Sequence, residues 1–142
     1  MEVPEWFVEP SLFRRLGARL LDGLVLAPVV FAGLLFDQPM RIVLVTLVQA
    51  VYEITFVARD GQTLGKKWLG LQVVDRDTGE VPTLNQAALR FAVPEISTVA
   101  QLTSPDLGGL VLLVVFLPIL KGPLHRGLHD HAAGTVVTAC RT

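Results

Sequence analysis

Three carboxylates lie in stretches of the sequence that are otherwise suited to a membrane. Asp22 is followed directly by Gly23-Leu24-Val25-Leu26, Glu53 lies near the end of a second apolar stretch, and Glu95 lies in a more polar third one. A carboxylate in hydrocarbon costs several kcal/mol unless it is paired or faces a polar interior. The three acids therefore predict either stations on an ion or proton path, or structural charges that hold helices together.

Two arginines precede Asp22 on the same face of a predicted helix. Arg15 lies seven residues before Asp22 and Arg19 lies three residues before it, and such spacings bring side chains together on a helix. The structural interpretation is an ion pair of Asp22 with Arg19 or Arg15 near the membrane surface. The functional interpretation is a charged station on a transport path, and the sequence alone leaves both open.

The densest polar cluster lies in the tail, around Asp130. His125 and His129 are four residues apart, and Asp130 and His131 follow at once. The spacing allows metal binding but has no fixed ligand elsewhere in the chain. We expect Asp130 to cap a turn or pair with a basic residue, and the histidines to be solvated. We predict no metal site, no cofactor and no catalytic residue, because no nucleophile and base stand in a recognisable constellation.

A glycine- and lysine-containing segment invites comparison with a phosphate-binding loop. Its sequence is Gly61-Gln62-Thr63-Leu64-Gly65-Lys66-Lys67. The glycines are one residue too close, and Lys67 stands where Ser or Thr should bind magnesium. We expect instead a tight return from the membrane to its surface, with both lysines facing lipid headgroups.

The hydropathy pattern indicates that membrane helices position these residues. Mean hydropathy is +0.54, 51% of the residues are hydrophobic, and they arrive in long blocks. A span needs about 20 apolar residues, and a chain of 142 residues has too small a core to hide such runs from water. We predict an all-α membrane protein, a small bundle of three to four transmembrane helices forming one domain over residues 1–142. The predicted helices cover residues 11–36, 41–58, 84–103 and 106–120.

The loop at 59–83 and the tail at 121–142 contain short β-like runs. Residues 69–74 alternate, a turn follows at 75–79, and residues 80–81 lead out, which predicts a short β-hairpin on the membrane surface. A weak internal sequence repeat suggests another pairing, between residues 71–74 and 135–138 in one small cytoplasmic sheet. The repeat consists of three positions with the same spacing in both segments: Leu64, Gly70 and Val73, and Leu128, Gly134 and Val137.

The distribution of Lys and Arg predicts the orientation in the membrane. Basic residues flank the start of the first helix, the central loop and the tail, whereas Arg41 alone lies in the remaining short loop. The positive-inside rule then places both ends and the central loop in the cytoplasm of a bacterial inner membrane. Two cytoplasmic ends require an even number of spans, which favours a crossing by residues 84–103. A net charge of −1 gives no reason to expect a nucleic-acid partner.

Three motifs in order resemble the RDD family of small membrane proteins. They are residues 14–22, residues 61–67 with 69–75, and residues 128–130 with 133–137. The resemblance implies that the arginine and the two aspartates in the family's name are Arg15, with Arg19 as the alternative, Asp22 and Asp130. It also implies membrane transport, which has been suggested for the family, with cation/proton exchange proposed for some members.

Two functions remain open at this stage. The first is a transporter or transporter subunit for a cation or proton, with Asp22, Glu53 and Asp130 as carboxylate stations and Arg15 as charge partner. Four short helices rarely enclose a pathway alone, so this function implies a homo-oligomer or a larger membrane partner. The alternative is a non-catalytic scaffold in which the same residues are structural. The predicted site comprises Arg15, Arg19, Asp22, Glu53 and Asp130, with Arg15, Asp22 and Asp130 close together near the cytoplasmic surface.

Overall fold

The computed structural model describes residues 3–121 and 124–140 as six α-helices, one 3-10 helix and two strands. Residues 1–2 and, within the predicted tail, residues 122–123 and 141–142 lie outside the described residues. In chain order the elements are α1 Leu12–Gly33, α2 Gln38–Asp60, α3 Leu64–Trp68, β1 Leu71–Asp75, α4 Leu84–Gln101, α5 Pro105–Phe116, the 3-10 helix Leu117–Leu120, α6 Leu128–Ala133 and β2 Thr135–Ala139.

Local capping explains where the long helices begin and end. The Ser11 hydroxyl accepts a hydrogen bond from the Arg14 amide and starts α1, and Thr83 forms a capping box with Gln86 at the start of α4. The predicted first helix is three residues too long, because the chain turns after Gly33. The second helix is longer than predicted, since Gly61 ends it in the left-handed conformation.

Two helices, α1 and α2, are long and apolar enough to cross a membrane. Few of their residues are buried in the isolated chain, and their exposed apolar side chains include Leu20, Leu24 and Phe31 of α1 and Leu47 and Val51 of α2. A contiguous apolar surface of this kind fits a lipid environment rather than water. The combined run Pro105–Leu120 is also apolar but shorter.

The two strands form one antiparallel sheet that joins the loop after α2 to the tail. Val73 pairs with Val137 at the centre of the register, which confirms the pairing suggested by the internal sequence repeat. The predicted hairpin is wrong, because residues 80–81 form no strand. The Asp75 carboxylate instead accepts hydrogen bonds from the Asp77 and Thr78 amides and closes a tight turn after β1.

The fold consists of two similar units joined through this sheet. In each unit a short helix leads through a glycine with positive φ, Gly70 at +60° or Gly134 at +66°, into a strand. Val73 and Val137 hold equivalent positions in the two units, so their pairing indicates a local two-fold axis between the strands. The helix packing follows the same repeat, because α1 contacts α2 and α3 as α4 contacts α5 and α6.

The repeat is broken at one helix pair. Helix α2 packs closely against α4, but the equivalent pair, α1 and α5, makes little contact. A gap therefore separates α1 from α5, while the core around Val57, Leu71 and Val73 holds the helices to the sheet. The candidate site lies at this gap.

Candidate functional site

A cavity of about 770 Å³ lies at the gap between α1 and α5, with α4 along one side. Its exposed edge carries apolar side chains, among them Leu16 of α1, Leu113 of α5 and Leu117 of the 3-10 helix. Its buried part carries ionisable side chains from four helices. These are Arg15, Arg19, Lys66, Arg90, Glu95, His129 and Asp130.

An ion pair between α4 and α6 forms one wall of the cavity. Nη1 of Arg90 contacts Oδ1 of Asp130, and both side chains are almost completely buried. The other carboxylate oxygen of Asp130 accepts a hydrogen bond from the Gly127 amide at 3.2 Å. Both expectations for Asp130, a cap and a basic partner, are confirmed. The partner Arg90 was missed, although an arginine in a largely apolar helix is itself a signal of a buried ionic contact.

Asp22 holds α3 against α1 through uncharged donors. Its carboxylate accepts hydrogen bonds from Tyr52 Oη at 2.8 Å, the Gly65 amide at 2.8 Å and Thr63 Oγ1 at 2.6 Å. The predicted ion pair of Asp22 with Arg15 or Arg19 is wrong, as neither arginine forms one with it in the described part of the chain. Three neutral donors already satisfy the buried charge, so no cation is required.

Gly65 makes this arrangement possible. A Cβ atom at Gly65 would lie 2.2 Å from the Ala18 carbonyl oxygen and 2.9 Å from Oδ1 of Asp22. Only a residue without a side chain lets α3 approach α1 so closely. The segment 61–67 is therefore a helix-packing motif, and one of its lysines is directed into the protein.

Lys66 is that lysine, and it corrects the expectation that both lysines face lipid headgroups. Lys67 is exposed, but Lys66 is only 4% exposed and its ammonium group donates to Thr63 Oγ1 at 3.1 Å. Burial, reinforced by the positive charge of Arg19, lowers the pKa of Lys66 to about 7. Lys66 therefore gains or loses its proton near neutral pH.

The two arginines of α1 have different partners. Arg19 forms an ion pair with Glu53 of α2, with Nη1 and Oε2 3.3 Å apart. Arg15 donates to the backbone carbonyls of His125 at 2.6 Å and Val137 at 3.0 Å. Arg15 thus ties α1 to the segment before α6 and to β2, and no carboxylate of the described residues lies within ion-pair distance of it.

The histidines differ from the expectation of solvated rings. His131 is exposed, but His129 is buried, with its ring 5.0 Å from that of Phe116. Burial strongly lowers the pKa of His129, so its ring is neutral. His125 lies between these extremes, 2.7 Å from a Glu9 carboxylate oxygen.

Several buried polar atoms of this cluster have no hydrogen-bond partner among the described residues. They are Nε of Arg15, Nε of Arg90, Nδ1 of His129, Oε1 of Glu53 and Oε2 of Glu95. Buried polar groups normally bind protein, water or ligand. All of these residues except Glu53 line the cavity, which indicates that the cavity could bind a polar ligand.

The predicted site residues therefore fall into two groups. Arg15, Arg19 and Asp130 line the cavity, and Glu53 joins them through Arg19. Asp22 does not line it and instead belongs to the α1–α3 contact. Sequence reasoning missed Lys66, Arg90 and His129 as members of the cluster.

Comparisons with known proteins agree with the three motifs. The family model described as the RDD family matches residues 9–134, a range that includes both transmembrane candidates and every charged residue of the cavity. Comparisons with the curated proteins and with the solved structures give no match. The chain is a membrane protein and belongs to the RDD family.

Proposed function

We propose that this protein is a non-catalytic transporter, or the ligand-binding subunit of one, and that a charged solute binds in the cavity between α1 and α5. The observation that carries the proposal is the set of ionisable side chains around one cavity whose buried polar atoms have no hydrogen-bond partner among the described residues. A purely structural cluster would be expected to satisfy these groups internally, because each unsatisfied one costs about 1–3 kcal/mol.

The charges around the cavity favour binding of an anion, which we propose is transported together with a proton. The carboxylates of Glu53 and Asp130 each have an arginine partner, and Asp22 is held by neutral donors. Arg15 and Lys66 have no carboxylate partner within ion-pair distance in the described part of the chain. Cation exchange, which the family resemblance suggests, has support from the unpartnered oxygens of Glu53 and Glu95.

The proposal includes four membrane helices with both ends in the cytoplasm of a bacterial inner membrane. The two-unit repeat supports it, because α4 is the counterpart of α1, a helix that is long and apolar enough to cross a membrane. Helix α4 is 18 residues long and spans about 27 Å at 1.5 Å per residue, slightly less than a typical hydrocarbon core of about 30 Å. The open side between α1 and α5 also supports action within a homo-oligomer or with a larger membrane partner.

Proton movement in proteoliposomes tests this function. Vesicles containing the protein and an internal pH-sensitive dye are given a gradient of inorganic phosphate or of Na⁺. We expect the phosphate gradient to change internal pH faster than in protein-free vesicles. Lys66→Met should abolish this change, because it removes the buried proton-binding group, whereas the exposed neighbour variant Lys67→Met should retain it. A response to Na⁺ alone would favour cation exchange, and no response to either gradient would contradict the transport function.

A scaffold that binds another membrane protein is the second candidate. The observation in its favour is the exposed apolar edge of the gap, which includes Leu16, Leu113 and Leu117. A partner helix could cover this edge through van der Waals packing. Cysteine cross-linking from Leu113→Cys to a co-purifying membrane protein, together with absence of flux, is the result that this function requires.

A further inference from the structure

The two units face each other through two equivalent helix pairs, and a gap separates only one of these pairs, α1 and α5. Its counterpart, the α2–α4 interface, is closed by direct helix packing. A cavity with apolar residues at its exposed edge and cations in its buried part therefore replaces a helix contact. This combination has the chemical character of an amphiphile-binding site.

We infer that the cavity binds a membrane amphiphile with an anionic head group and at least one alkyl chain, which enters sideways between α1 and α5. This inference rests on the proposed function, because it names the ligand class of the same cavity. The anionic head lies at Arg15 and Lys66, and the alkyl chain lies along Leu16, Leu113 and Leu117.

The hydrogen-bonding state of the cations supports an anionic head. Arg19 and Arg90 are already paired with carboxylates. Lys66 donates only to Thr63 Oγ1, which leaves two of its three ammonium hydrogens without an acceptor in the described residues. Nε of Arg15 is buried and has no partner. A phosphate or carboxylate supplies several acceptor oxygens at once, and Arg15 and Lys66 both line this cavity.

The size and edge of the cavity support an alkyl chain. A volume of about 770 Å³ lies within the range of about 300–1,000 Å³ that is usual for small-molecule sites. Leu16 and Leu113 are 58% and 65% exposed, so the apolar edge is open towards the surrounding lipid. A second copy of the chain could cover this edge, but an apolar helix face would leave Lys66 and Arg15 without an anion.

Native mass spectrometry of the intact protein released from nanodiscs tests the inference. The nanodiscs contain equal parts of phosphatidylcholine and phosphatidylglycerol, and we expect the protein to retain phosphatidylglycerol preferentially. Lys66→Met should lower that retention about tenfold, as expected for loss of one charge-assisted hydrogen bond, and Lys67→Met should not.

A second pair of variants tests the lateral opening without altering the charges. Leu16→Trp places a larger side chain in the apolar edge, whereas Leu20→Trp makes the same change at an exposed α1 position that does not line the cavity. We expect only Leu16→Trp to reduce phosphatidylglycerol retention. Thermal unfolding in detergent verifies that both variants remain folded, and Leu16→Trp gives a result even if Lys66 proves necessary for folding.

The possible outcomes separate this inference from the proposed transport function. Equal retention of the two lipids, or equal effects of Leu16→Trp and Leu20→Trp, would overturn it. Phosphate-driven flux that Leu16→Trp leaves intact would also overturn it, while the transport function would stand with a soluble anion. A dimer without bound lipid would assign the gap to a second copy of the chain. Preferential retention lost in Lys66→Met and Leu16→Trp supports the amphiphile site even if no flux is found.

Discussion

Substitution of Gly65 by alanine is the most direct test of how α3 is held against α1. The Gly65 amide donates to Asp22 at 2.8 Å, and an added Cβ would lie 2.2 Å from the Ala18 carbonyl oxygen. No real Cβ contact is so short, and the obstructing atom is backbone that cannot rotate away. Helix α3 must therefore move, and the hydrogen bond to Asp22 must lengthen or break.

The expected loss can be built from these two effects. Overpacking of a close contact costs about 1–3 kcal/mol, and loss of a hydrogen bond to a charged group costs about 1.5–3 kcal/mol. Alanine returns up to about 1 kcal/mol through its higher helix propensity. We expect Gly65→Ala to lower the free energy of unfolding by about 3 kcal/mol.

Gly23→Ala is the matched control. Gly23 lies in α1, one residue after Asp22, and an added Cβ meets no other atom within 4 Å. Because alanine favours helices, this variant should be neutral or slightly more stable. The measurement is reversible unfolding in mixed detergent micelles, followed by far-UV circular dichroism. If Gly65→Ala changed stability no more than Gly23→Ala, the close α1–α3 contact described above would be refuted.

Three further predictions concern the buried charges. Asp130→Asn and Arg90→Gln should each lower the free energy of unfolding by about 3–5 kcal/mol, because each leaves a buried charge without its partner. The double variant should lose less than the sum of the two single losses, and a double-mutant cycle measures this coupling. Asp22→Asn should lower stability by about 2–3 kcal/mol, and adding Arg19→Gln should not restore it, whereas restoration would revive the Asp22–Arg19 ion pair. The free energy of unfolding should rise from about pH 7 towards pH 10.5, at up to about 1.4 kcal/mol per pH unit, because Lys66 is neutral in the folded protein and still protonated in the unfolded chain. Lys66→Met should flatten this rise. If unfolding titrations of Lys66→Met gave the same slope, a buried neutral lysine would be refuted.

Much of the fold follows from sequence patterns that act locally. Long apolar runs, the Ser11 and Thr83 caps and the glycine at the end of α2 define the four longer helices within a few residues. The pairing of β1 with β2 could also be predicted, because the spacing of Leu64, Gly70 and Val73 is repeated at Leu128, Gly134 and Val137. These signals depend on neighbouring residues or on a repeat, and both are visible in one sequence.

The partners of the charged side chains could not be predicted in the same way. Helical spacing placed Arg15 and Arg19 on the same face as Asp22, but spacing does not reveal that Thr63, Gly65 and Tyr52 satisfy Asp22 first. The burial of Lys66 depends on α3, a helix of five residues that is too short to produce a periodic pattern. The Arg90–Asp130 pair joins residues far apart in the chain, and only the packing of α4 on α6 brings them together.

The two units hold their short helices through charged side chains of opposite sign. Lys66 in α3 and Asp130 in α6 hold equivalent positions, two residues after Leu64 and Leu128. In the first unit an acid on the long helix, Asp22, holds the short helix α3, and in the second a base on the long helix, Arg90, holds the short helix α6. The second unit closes its contact with a full ion pair, whereas in the first unit neutral donors satisfy Asp22, so Lys66 lacks a carboxylate partner in the described residues. Lys66 therefore lines the cavity at the open gap without an ion-pair partner among the described residues, and this is the reason for placing the ligand there rather than at either aspartate.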